Sequence, residues 1–505
     1  MSENLPVEPL SRATEIDTHA ADPPEESCFD LPEKVLQFGT GAFLRGFSDY
    51  FVDQANRKGA FNGRIVVVGS TGSGRAALFN AQDGLYTVCI QGIEDGETID
   101  HCTVAASVSR AISSADDWTS ILNLARSPDL EFVFSNTTEE GIRFDADDRL
   151  DLDPPRSFPG KLASVMYERA ETFGYDSERG LTILCCELIE DNAHKLRSIV
   201  LELADRWNLG NAFVNWLHEH NRFCNTLVDR IVTGRPDAVS MRKIEQRLGY
   251  SDDLFIQAEP YHLWAVEGDT TLRDRLAFAD GEDGILISPD IGPYLTRKVR
   301  ILNGAHTIMV PLSYLCGNDT VAESMEDSLT SMFIRHVMLQ EIVPSLDISR
   351  EDAERFAHQV LDRFKNPFVH HELTSIALHQ TTKVDVRIVP SLHDYYSRTG
   401  HLPQGIVLGF AAYLLFVTGE GRAADLELPF DERVGEVRAY QQKSGLDDMD
   451  GFVRAVCADH ELWHPPLDAL PGFSESVASR VMEMRRDGAR KTLQGFLAET
   501  VNQRL

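Results

Sequence analysis

Short apolar runs alternate with amphipathic segments in the first half of the chain. After about residue 33, KVLQFG has the pattern of a strand, AFLRGFSDYFVDQANRKG has helical periodicity, and GRIVVVGS has the pattern of a second buried strand. The alternation continues through YTVCIQGI, ADDWTSILNLARS, LEFVFSNTT, GKLASVMYERAETFG and LTILCCEL. Strands that alternate with helices predict a mostly parallel, doubly wound sheet with helices on both faces.

The second half of the chain has a different pattern. From about residue 285, long helical segments such as SLTSMFIRHVMLQEIVPSL and EDAERFAHQVLDRF follow one another with little strand signal. The segment SPDIGPY, rich in proline and glycine, marks the change. We therefore predict an α/β fold in three parts: a mobile acidic extension over residues 1–30, a Rossmann-type dinucleotide-binding domain over 31–287, and an all-helical substrate and catalytic domain over 288–505.

Composition narrows the range of partners. The 505 residues include 79 acidic and 48 basic side chains, and the resulting charge of −31 repels nucleic acid and anionic membranes. The N-terminus lacks the features of a signal peptide, and the longest apolar run, residues 406–417, is too short to cross a bilayer. The eight cysteines are scattered without a CxxC pair, which favours reduced thiols. We expect a cytoplasmic protein that binds neither nucleic acid nor membrane.

A glycine-containing turn follows the first strand. In VLQFGTGAFLRGF, Gly39 permits a tight turn, and Gly41 lets the backbone approach a pyrophosphate at the start of a helix. A third glycine would fall at Leu44, so the dinucleotide fingerprint is incomplete and an ordinary tight turn is the alternative. The predicted cofactor-binding segment consists of Phe38, Gly39, Thr40, Gly41, Ala42, Phe43, Leu44 and Arg45.

The residues after the second strand bear on which cofactor is bound. A carboxylate there would bind the ribose 2′-hydroxyl of NAD, but the sequence is GSTGSGR, residues 69–75. Hydroxyl groups and Arg75 suit the 2′-phosphate of NADP equally well, and a glycine-rich surface loop is a further alternative. The residues alone leave NAD and NADP both open.

The stretch RKVRILNGAHT, residues 297–307, places polar side chains in an apolar helix. At about 100° per residue, Lys298, Asn303 and His306 lie at about 0°, 140° and 80°, so all three can face one cleft. A desolvated lysine can exchange a proton near neutral pH, and an amide and an imidazole can bind a developing oxyanion. This chemistry interconverts a carbonyl and an alcohol by hydride transfer. A solvated lysine, a capping asparagine and a core histidine are the alternative interpretation.

A histidine-rich segment raises the possibility of metal chemistry. His370, His371 and His379 lie near Glu372, and such groups can bind zinc. The segment has neither an HExxH motif nor a set of cysteine ligands. We therefore predict no metal site.

Several motifs follow one another over nearly the whole chain from about residue 33. They are GTGAFLRG, FSNTTEEGI, CELIEDN, FCNTLVDRIVTG, KVRILNGAHT and RFKNPFVHHELTSIALHQTTK. Together they resemble the polyol-specific long-chain dehydrogenases, the mannitol dehydrogenase family. The resemblance implies a Rossmann-type domain, a helical C-terminal domain, NAD as cofactor with NADP not excluded, and a metal-independent mechanism.

The resemblance also implies catalytic roles. The family motif K-x4-N-x2-H matches Lys298 as general acid/base, together with Asn303 and His306. The family has a second oxyanion-binding asparagine just after a strand, and the match in CELIEDN is Asn192.

Binding residues are implied in the same way. Cofactor contacts are expected at Asn136 and Thr137, in FSNTTEEGI, and substrate contacts at Asp229 and Lys383. A structural ion pair with Arg230 is the alternative for Asp229, and a solvated surface position is the alternative for Lys383.

Two departures from the polyol pattern bear on the substrate. Ser375 stands where polyol-specific members commonly have an arginine, and Leu188 stands where they have an asparagine. Both features resemble the branch that acts on uronates, so we expect a small hexuronate or aldonate substrate, with D-tagaturonate reduced reversibly to D-altronate. A substrate carboxylate needs a cationic partner, for which the candidates are Arg297, Arg300 and Lys383. D-fructuronate and mannitol are the alternative substrates, and a non-catalytic dinucleotide or sugar sensor is the remote alternative.

Overall fold

The computed structural model describes residues 8–70, 74–138, 140–426, 431, 433–445 and 448–502. The chain divides into two compact units, which we call the N-terminal and C-terminal domains. The first comprises Met1–Gln91 and Thr98–Ile291, and the second comprises Gly92–Glu97 and Gly292–Leu505.

A six-stranded parallel sheet forms the centre of the N-terminal domain. The strands of this domain are β1 (Glu33–Phe38), β2 (Arg64–Gly69), β3 (Tyr86–Glu94), β4 (Glu97–Ala105), β5 (Val108–Ser113), β6 (Phe132–Ser135), β7 (Thr182–Cys185), β8 (Arg222–Cys224), β9 (Thr226–Asp229), β10 (Ile256–Ala258), β11 (Leu263–Glu267) and β12 (Ile285–Ser288). The large sheet has the order β5-β2-β1-β6-β7-β8, with every neighbouring pair parallel. The strand order therefore reverses at β1.

Helices cover both faces of this sheet, as the alternating pattern predicts. The helices of the N-terminal domain are α1 (Ala42–Arg45), α2 (Ser48–Arg57), α3 (Gly74–Ala81), α4 (Trp118–Ala125), α5 (Phe158–Phe173), α6 (Asn192–Arg206), α7 (Gly210–His220), α8 (Ala238–Leu248) and α9 (Thr270–Arg275), of which α8 packs with the smaller sheet that contains β3 and β4. Successive strand residues point to opposite faces, so Val35 belongs to one buried apolar cluster and Leu36 to the other. The predicted doubly wound architecture is confirmed.

The helix predicted after β1 is divided in two. α1 and α2 are separated by Gly46 and Phe47, and Phe47 has φ −128° and ψ −98°. A Cβ on Gly46 would lie 2.8 Å from Cγ1 of Val232, so the chain approaches its neighbour closely at this point. The packing requirement at Gly46 overrides the helical periodicity of the segment.

The third parallel strand also differs from the prediction. YTVCIQGI forms β3, which lies in the separate sheet β10-β3-β4, and the large sheet is extended by β5 instead. β5 has the sequence VSRAIS, in which Ser109 and Arg110 weaken the apolar signal of a strand.

Residues 8–30 are packed against the N-terminal domain, in contrast to the expected mobile extension. Leu10 is fully buried, and its N–H donates to the carbonyl of Ser251 at 2.8 Å. The N–H of Asp22 donates to Cys102 at 2.9 Å. The prediction failed because the acidic composition of residues 1–30 dominates the sequence pattern, whereas a few buried apolar residues and backbone hydrogen bonds hold the segment in place.

The cysteines depart from expectation at one pair. Cys89 on β3 and Cys102 on β4 form a disulfide, because pairing of these strands brings the two side chains together. The adjacent Cys185 and Cys186 are buried free thiols.

The C-terminal domain is helical from Gly292 onward within the described residues. Its helices are α10 (Gly292–Arg297), α11 (Gly304–Leu315), α12 (Val321–Glu326), α13 (Ser328–His336), α14 (Val343–Ser345), α15 (Arg350–Phe364), α16 (Leu373–Ile376), α17 (Gln380–Lys383), α18 (Val389–Thr399), α19 (Gln404–Val417), α20 (Val434–Ser444), α21 (Met449–Cys457), α22 (Phe473–Asp487) and α23 (Ala489–Asn502). In the described part of this domain, three π-helical segments join consecutive helices: Lys298–Asn303, Val337–Ile342 and Val384–Ile388.

α19 contains the longest apolar run of the chain. Every residue from Gly405 to Val417 is buried, so the helix lies in the core of the domain. The stretch Gln404–Ala424 is the one candidate membrane span by length and composition among the described residues, and most of it is buried. At its N-terminus the carboxylate of Glu341 accepts from the N–H groups of Gly405 and Ile406, each at 2.7 Å. This buried anion satisfies the free donors and the positive end of the helix dipole.

Candidate active site

The turns after β1 and β6 meet where the strand order reverses. Gly39 has φ +133°, and a Cβ there would lie 2.9 Å from the carbonyl oxygen of Asn136. The N–H of Asn136 donates to Phe38 at 3.1 Å, while a Cβ on Gly41 would meet open space. In open α/β sheets this crevice is where dinucleotides bind, so the residues present fit such a cofactor. The structure thus brings together the predicted segment 38–45 with Asn136 and Thr137.

Arg45 within that segment has a structural role. The side chain is buried, and its Nη1 donates to the carbonyl of Thr40 at 2.8 Å. Burial lowers the pKa of this guanidinium. Arg45 therefore holds the glycine turn from behind, and its predicted contact with a cofactor stays a prediction.

A buried carboxylate, Asp49, lies behind the same turn. Its oxygens accept from Gln37 Nε2 at 3.2 Å and from Ser48 Oγ at 2.9 Å. Burial raises the pKa of Asp49 to about 6, because neither partner carries a charge to compensate the carboxylate. Charging this group therefore opposes folding.

The segment after β2 is described only in part, because residues 71–73 lie outside the described residues. Arg75 lies at the start of α3, exposed, with Nη1 3.4 Å from the carbonyl oxygen of Thr40. Arg75 therefore lies beside the glycine turn.

Glu187 connects the ends of β6 and β7. Its carboxylate accepts from the N–H of Thr137 at 2.9 Å, from Thr137 Oγ1 at 3.0 Å, and from Ser135 Oγ at 3.0 Å. Burial raises the pKa of this carboxyl group. We did not predict a role for Glu187, although an acidic residue almost directly after a buried strand, in CELIEDN, is the signal that reveals it.

Asn192 does not have the geometry of an oxyanion donor. The residue is 1% exposed, and its Nδ2 donates to the carbonyls of Cys185 at 3.0 Å, Glu187 at 3.1 Å and Thr226 at 3.2 Å. Its Oδ1 accepts from the N–H of Ala193 at 2.8 Å. Both amide hydrogens are used within the N-terminal domain, which favours a structural role for Asn192 over the predicted catalytic one.

Asp229 is the last residue of β9 and is buried. Its backbone pairs with Leu263 on β11. The neighbouring Arg230 donates to the carbonyls of Glu259 at 2.8 Å and Gly46 at 2.9 Å, and its guanidinium lies over the ring of Tyr50. Asp229 is thereby held at the end of a strand, where the predicted substrate contact stays a proposal.

Lys298 and Asn303 are the first and last residues of a π-helical segment. The N–H of Gly304 donates to Val299, five residues earlier, as a π-helix requires. The wider turn brings residues five apart to roughly the same face, whereas an α-helix separates them by about 140°. The side chain of Asn303 has no hydrogen-bond partner among the described residues. The backbone thus aligns the lysine and the amide of K-x4-N.

His306 follows on the first turn of α11. Its ring stacks on Phe364 at a centroid distance of 4.1 Å and meets His371 edge-on at 5.3 Å. Burial lowers the pKa of His306 well below its usual range, and the nearby charges of His371, Arg363, Arg387 and Lys383 lower it further. Its Nε2 is buried and has no partner among the described residues. The ring is therefore neutral at neutral pH, with one nitrogen available.

The three candidate cations for a substrate carboxylate have different surroundings. Arg300 donates to Asp394 at 2.8 Å and to Ser391 Oγ at 2.6 Å, so its charge is already used. The guanidinium of Arg297 lies over the ring of Phe356, 4.4 Å from its centroid. Lys383 donates to the carbonyl of Ile376 at 2.8 Å, and burial lowers the pKa of this lysine. Lys383 is the only one of the three next to His306.

The histidine-rich segment forms no metal-binding group. Within the described part of the chain, no three His, Cys, Asp or Glu side chains are placed to hold an ion. Nε2 of His370 lies 3.7 Å from Glu372 Oε1, and Ser375 Oγ donates to the other oxygen of Glu372 at 3.4 Å.

Family models match both domains of the chain. The model for the mannitol dehydrogenase Rossmann domain matches residues 33–279, and the model for the mannitol dehydrogenase C-terminal domain matches residues 290–485. The altronate oxidoreductase of Bacillus subtilis is 40% identical over 467 residues, covering 92% of this chain and 95% of the relative. The altronate oxidoreductase of Pectobacterium atrosepticum is 39% identical over 474 residues, covering 92% of this chain and 97% of the relative.

Two solved structures share the fold. Mannitol 2-dehydrogenase of Pseudomonas fluorescens, solved as a ternary complex with NAD and D-mannitol, has a TM-score of 0.67 at 21% identity and covers 97% of this chain and 99% of its own. A substrate-free D-sorbitol dehydrogenase has a TM-score of 0.79 at 20% identity. The match covers 96% of this chain and 100% of the D-sorbitol dehydrogenase chain. With both family models matched in order along one chain, the protein belongs to the mannitol dehydrogenase family.

Proposed function

We propose that this oxidoreductase interconverts D-tagaturonate and D-altronate, with NADH as the reductant in the forward direction. The observation that carries the proposal is the similarity to altronate oxidoreductases over 92% of the chain. The Rossmann strand order and the open glycine turn support a dinucleotide cofactor, and the related mannitol 2-dehydrogenase was solved with NAD. A cytoplasmic location is part of the proposal.

The C-terminal domain supplies the groups for proton transfer. Lys298 donates a proton to the ketone oxygen during reduction and removes it during oxidation. Asn303, aligned with Lys298 by the π-turn, donates a hydrogen bond to that oxygen as negative charge develops. When bound, the nicotinamide supplies the hydride.

His306 contributes as a neutral hydrogen-bonding group. Its low pKa prevents it from competing with Lys298 as an acid, and stacking on Phe364 fixes the plane of the ring. We propose that His306 orients a hydroxyl group of the substrate through its Nε2, which has no partner among the described residues. Substrate contacts by Asp229 and Lys383 belong to the same proposal.

A substrate panel tests the assignment. The purified chain is assayed for NADH and NADPH oxidation with D-tagaturonate, D-fructuronate, D-tagatose and D-fructose, and the product is identified by chromatography. We expect D-altronate as product and a kcat/KM for D-tagaturonate about tenfold or more above that for the other compounds. Faster turnover of D-fructuronate or of either uncharged ketose would contradict the substrate assignment, and a preference for NADPH would contradict the cofactor.

A further inference from the structure

An uncompensated positive cluster lies beside His306. Lys383 and Arg387 are separated by one turn of the same helical stretch, and the π-helical segment containing Arg387 packs against α11 and against segment 298–303. Nη1 of Arg387 lies 3.3 Å from Oγ1 of Thr307, the residue after His306. Thr307 Oγ1 in turn lies 2.8 Å from the carbonyl of Asn303. Arg387 is thus connected to the catalytic segment by a short chain of contacts.

Neither cation has a carboxylate partner among the described residues. No described carboxylate lies within 4 Å of the side-chain nitrogens of Lys383 or Arg387. The neighbouring Arg300, in contrast, pairs with Asp394. Asp431 acts on Lys383 from a distance, but its Oδ2 is bound by the N–H and Oγ1 of Thr381, each at 2.8 Å. Burial lowers the pKa of Arg387, and no described acid raises it. In a chain of charge −31, two adjacent, partly buried cations without an anion are costly unless a ligand supplies one.

We infer that Arg387, with Lys383 beside it, binds the carboxylate of the substrate. The inference rests on the proposed function, in which the substrate is a ketohexuronate. A guanidinium can bind both carboxylate oxygens. Among the described residues, the partly exposed side chain of Arg387 forms one hydrogen bond, to Thr307, and so keeps further donors for a ligand. Arg300 is excluded by its pairing with Asp394, and Arg297 is the rival because no acidic side chain of the described chain pairs with it.

The test compares a uronate with its uncharged analogue. D-tagatose has a hydroxymethyl group in place of the carboxylate of D-tagaturonate, so the ratio of kcat/KM for the two measures recognition of the charge. We expect Arg387→Gln to lower kcat/KM for D-tagaturonate about 100-fold, mainly through KM, while the value for D-tagatose changes less than about threefold. Arg387→Lys keeps the positive charge but loses the two parallel N–H donors of the guanidinium. Its ratio of kcat/KM for the two substrates should therefore lie between those of wild type and Arg387→Gln. Where turnover of D-tagatose is too slow, its inhibition constant against D-tagaturonate replaces kcat/KM.

Two further variants keep the result interpretable. Arg398→Gln removes an exposed arginine of the same domain and should leave the ratio unchanged, and equal thermal midpoints show that the variants are folded. The inference is overturned if the ratio in Arg387→Gln stays within about threefold of wild type, or if Arg297→Gln abolishes the preference instead. If wild type prefers D-fructuronate, the proposed substrate fails, but the same ratio measured with D-fructuronate and D-fructose still tests Arg387.

Discussion

Polar groups in two regions of the molecule are used in opposite ways. At the ends of β6 and β7, Glu187 and Asn192 are buried, and their oxygens and amide hydrogens are occupied by hydrogen bonds within the N-terminal domain. In the segment 298–306 of the C-terminal domain, His306 Nε2 is buried without a hydrogen-bond partner among the described residues. The half-buried amide of Asn303 likewise forms no side-chain hydrogen bond with the described residues.

The difference separates residues that hold a site from residues that act in it. A buried polar group with all its hydrogen bonds made stabilises one geometry, and removing it leaves its partners unsatisfied at a cost of about 1–3 kcal/mol each. A polar group left without partners lowers stability but is free to bind a ligand. Mutations in the first region should therefore affect stability and cofactor binding, and mutations in the second should affect turnover.

The largest expected effect is the loss of the proton donor. Lys298→Ala should reduce kcat about 10³-fold, because general acid–base groups contribute about 10²–10⁴-fold. NADH affinity, measured by fluorescence titration, should change little. The control Lys491→Ala removes an exposed lysine that pairs with Asp487 and should behave as wild type. Retention of near wild-type turnover by Lys298→Ala would remove this residue from the mechanism.

The next effect concerns the buried Asp49 of the N-terminal domain. Its pKa of about 6 in the folded state exceeds the ordinary value of 3.8, so the folded state holds the proton more tightly than the unfolded state. Below about pH 4 Asp49 is protonated in both states and does not oppose folding. As the pH rises through 6, the free energy of unfolding falls by about 3 kcal/mol, because the buried carboxyl group loses its proton. Asp49→Asn should raise the thermal midpoint above pH 6 by several degrees, with the difference vanishing below pH 4. If the difference in thermal midpoint between Asp49→Asn and wild type does not depend on pH, ionisation of Asp49 does not destabilise the folded state.

The smallest effect is expected at Glu187. Glu187→Gln replaces one acceptor oxygen by an NH2 group, which weakens the hold on Thr137 at the predicted cofactor crevice. KM for NADH should rise about three- to tenfold, with kcat nearly unchanged. Glu190→Gln changes an exposed acid three residues away and serves as the matched control. A fall in kcat without a change in KM would place Glu187 in the reaction rather than behind the cofactor.

The sequence predicts the N-terminal domain well where local signals agree. Short continuous apolar runs located most strands of the sheet, and the glycine turn directly after β1 predicted the cofactor segment around Gly39. β5 was missed because Ser109 and Arg110 interrupt its apolar run, and the packing of Leu10 depends on a strand edge that is distant in sequence.

The site residues are less predictable because their roles depend on contacts. The family motif predicted Lys298 and Asn303 as site residues, but the π-turn that aligns them has no simple sequence pattern. Motif matching predicted a catalytic role for Asn192, whereas its hydrogen-bond partners favour a structural one. Arg387 looks like any arginine of an amphipathic helix until its surroundings are known.

The most direct test compares the two asparagines in one experiment, with kcat at 25 °C and the thermal midpoint measured for Asn192→Ala and Asn303→Ala. For Asn303→Ala we expect kcat to fall about 10²-fold with little change in the midpoint, because a donor to the developing oxyanion is lost. For Asn192→Ala we expect the midpoint to fall by about 4–10 °C with kcat within about threefold of wild type, because buried carbonyls lose their donor. The reverse pattern, with turnover lost in Asn192→Ala and stability lost in Asn303→Ala, would contradict the division between holding and acting residues.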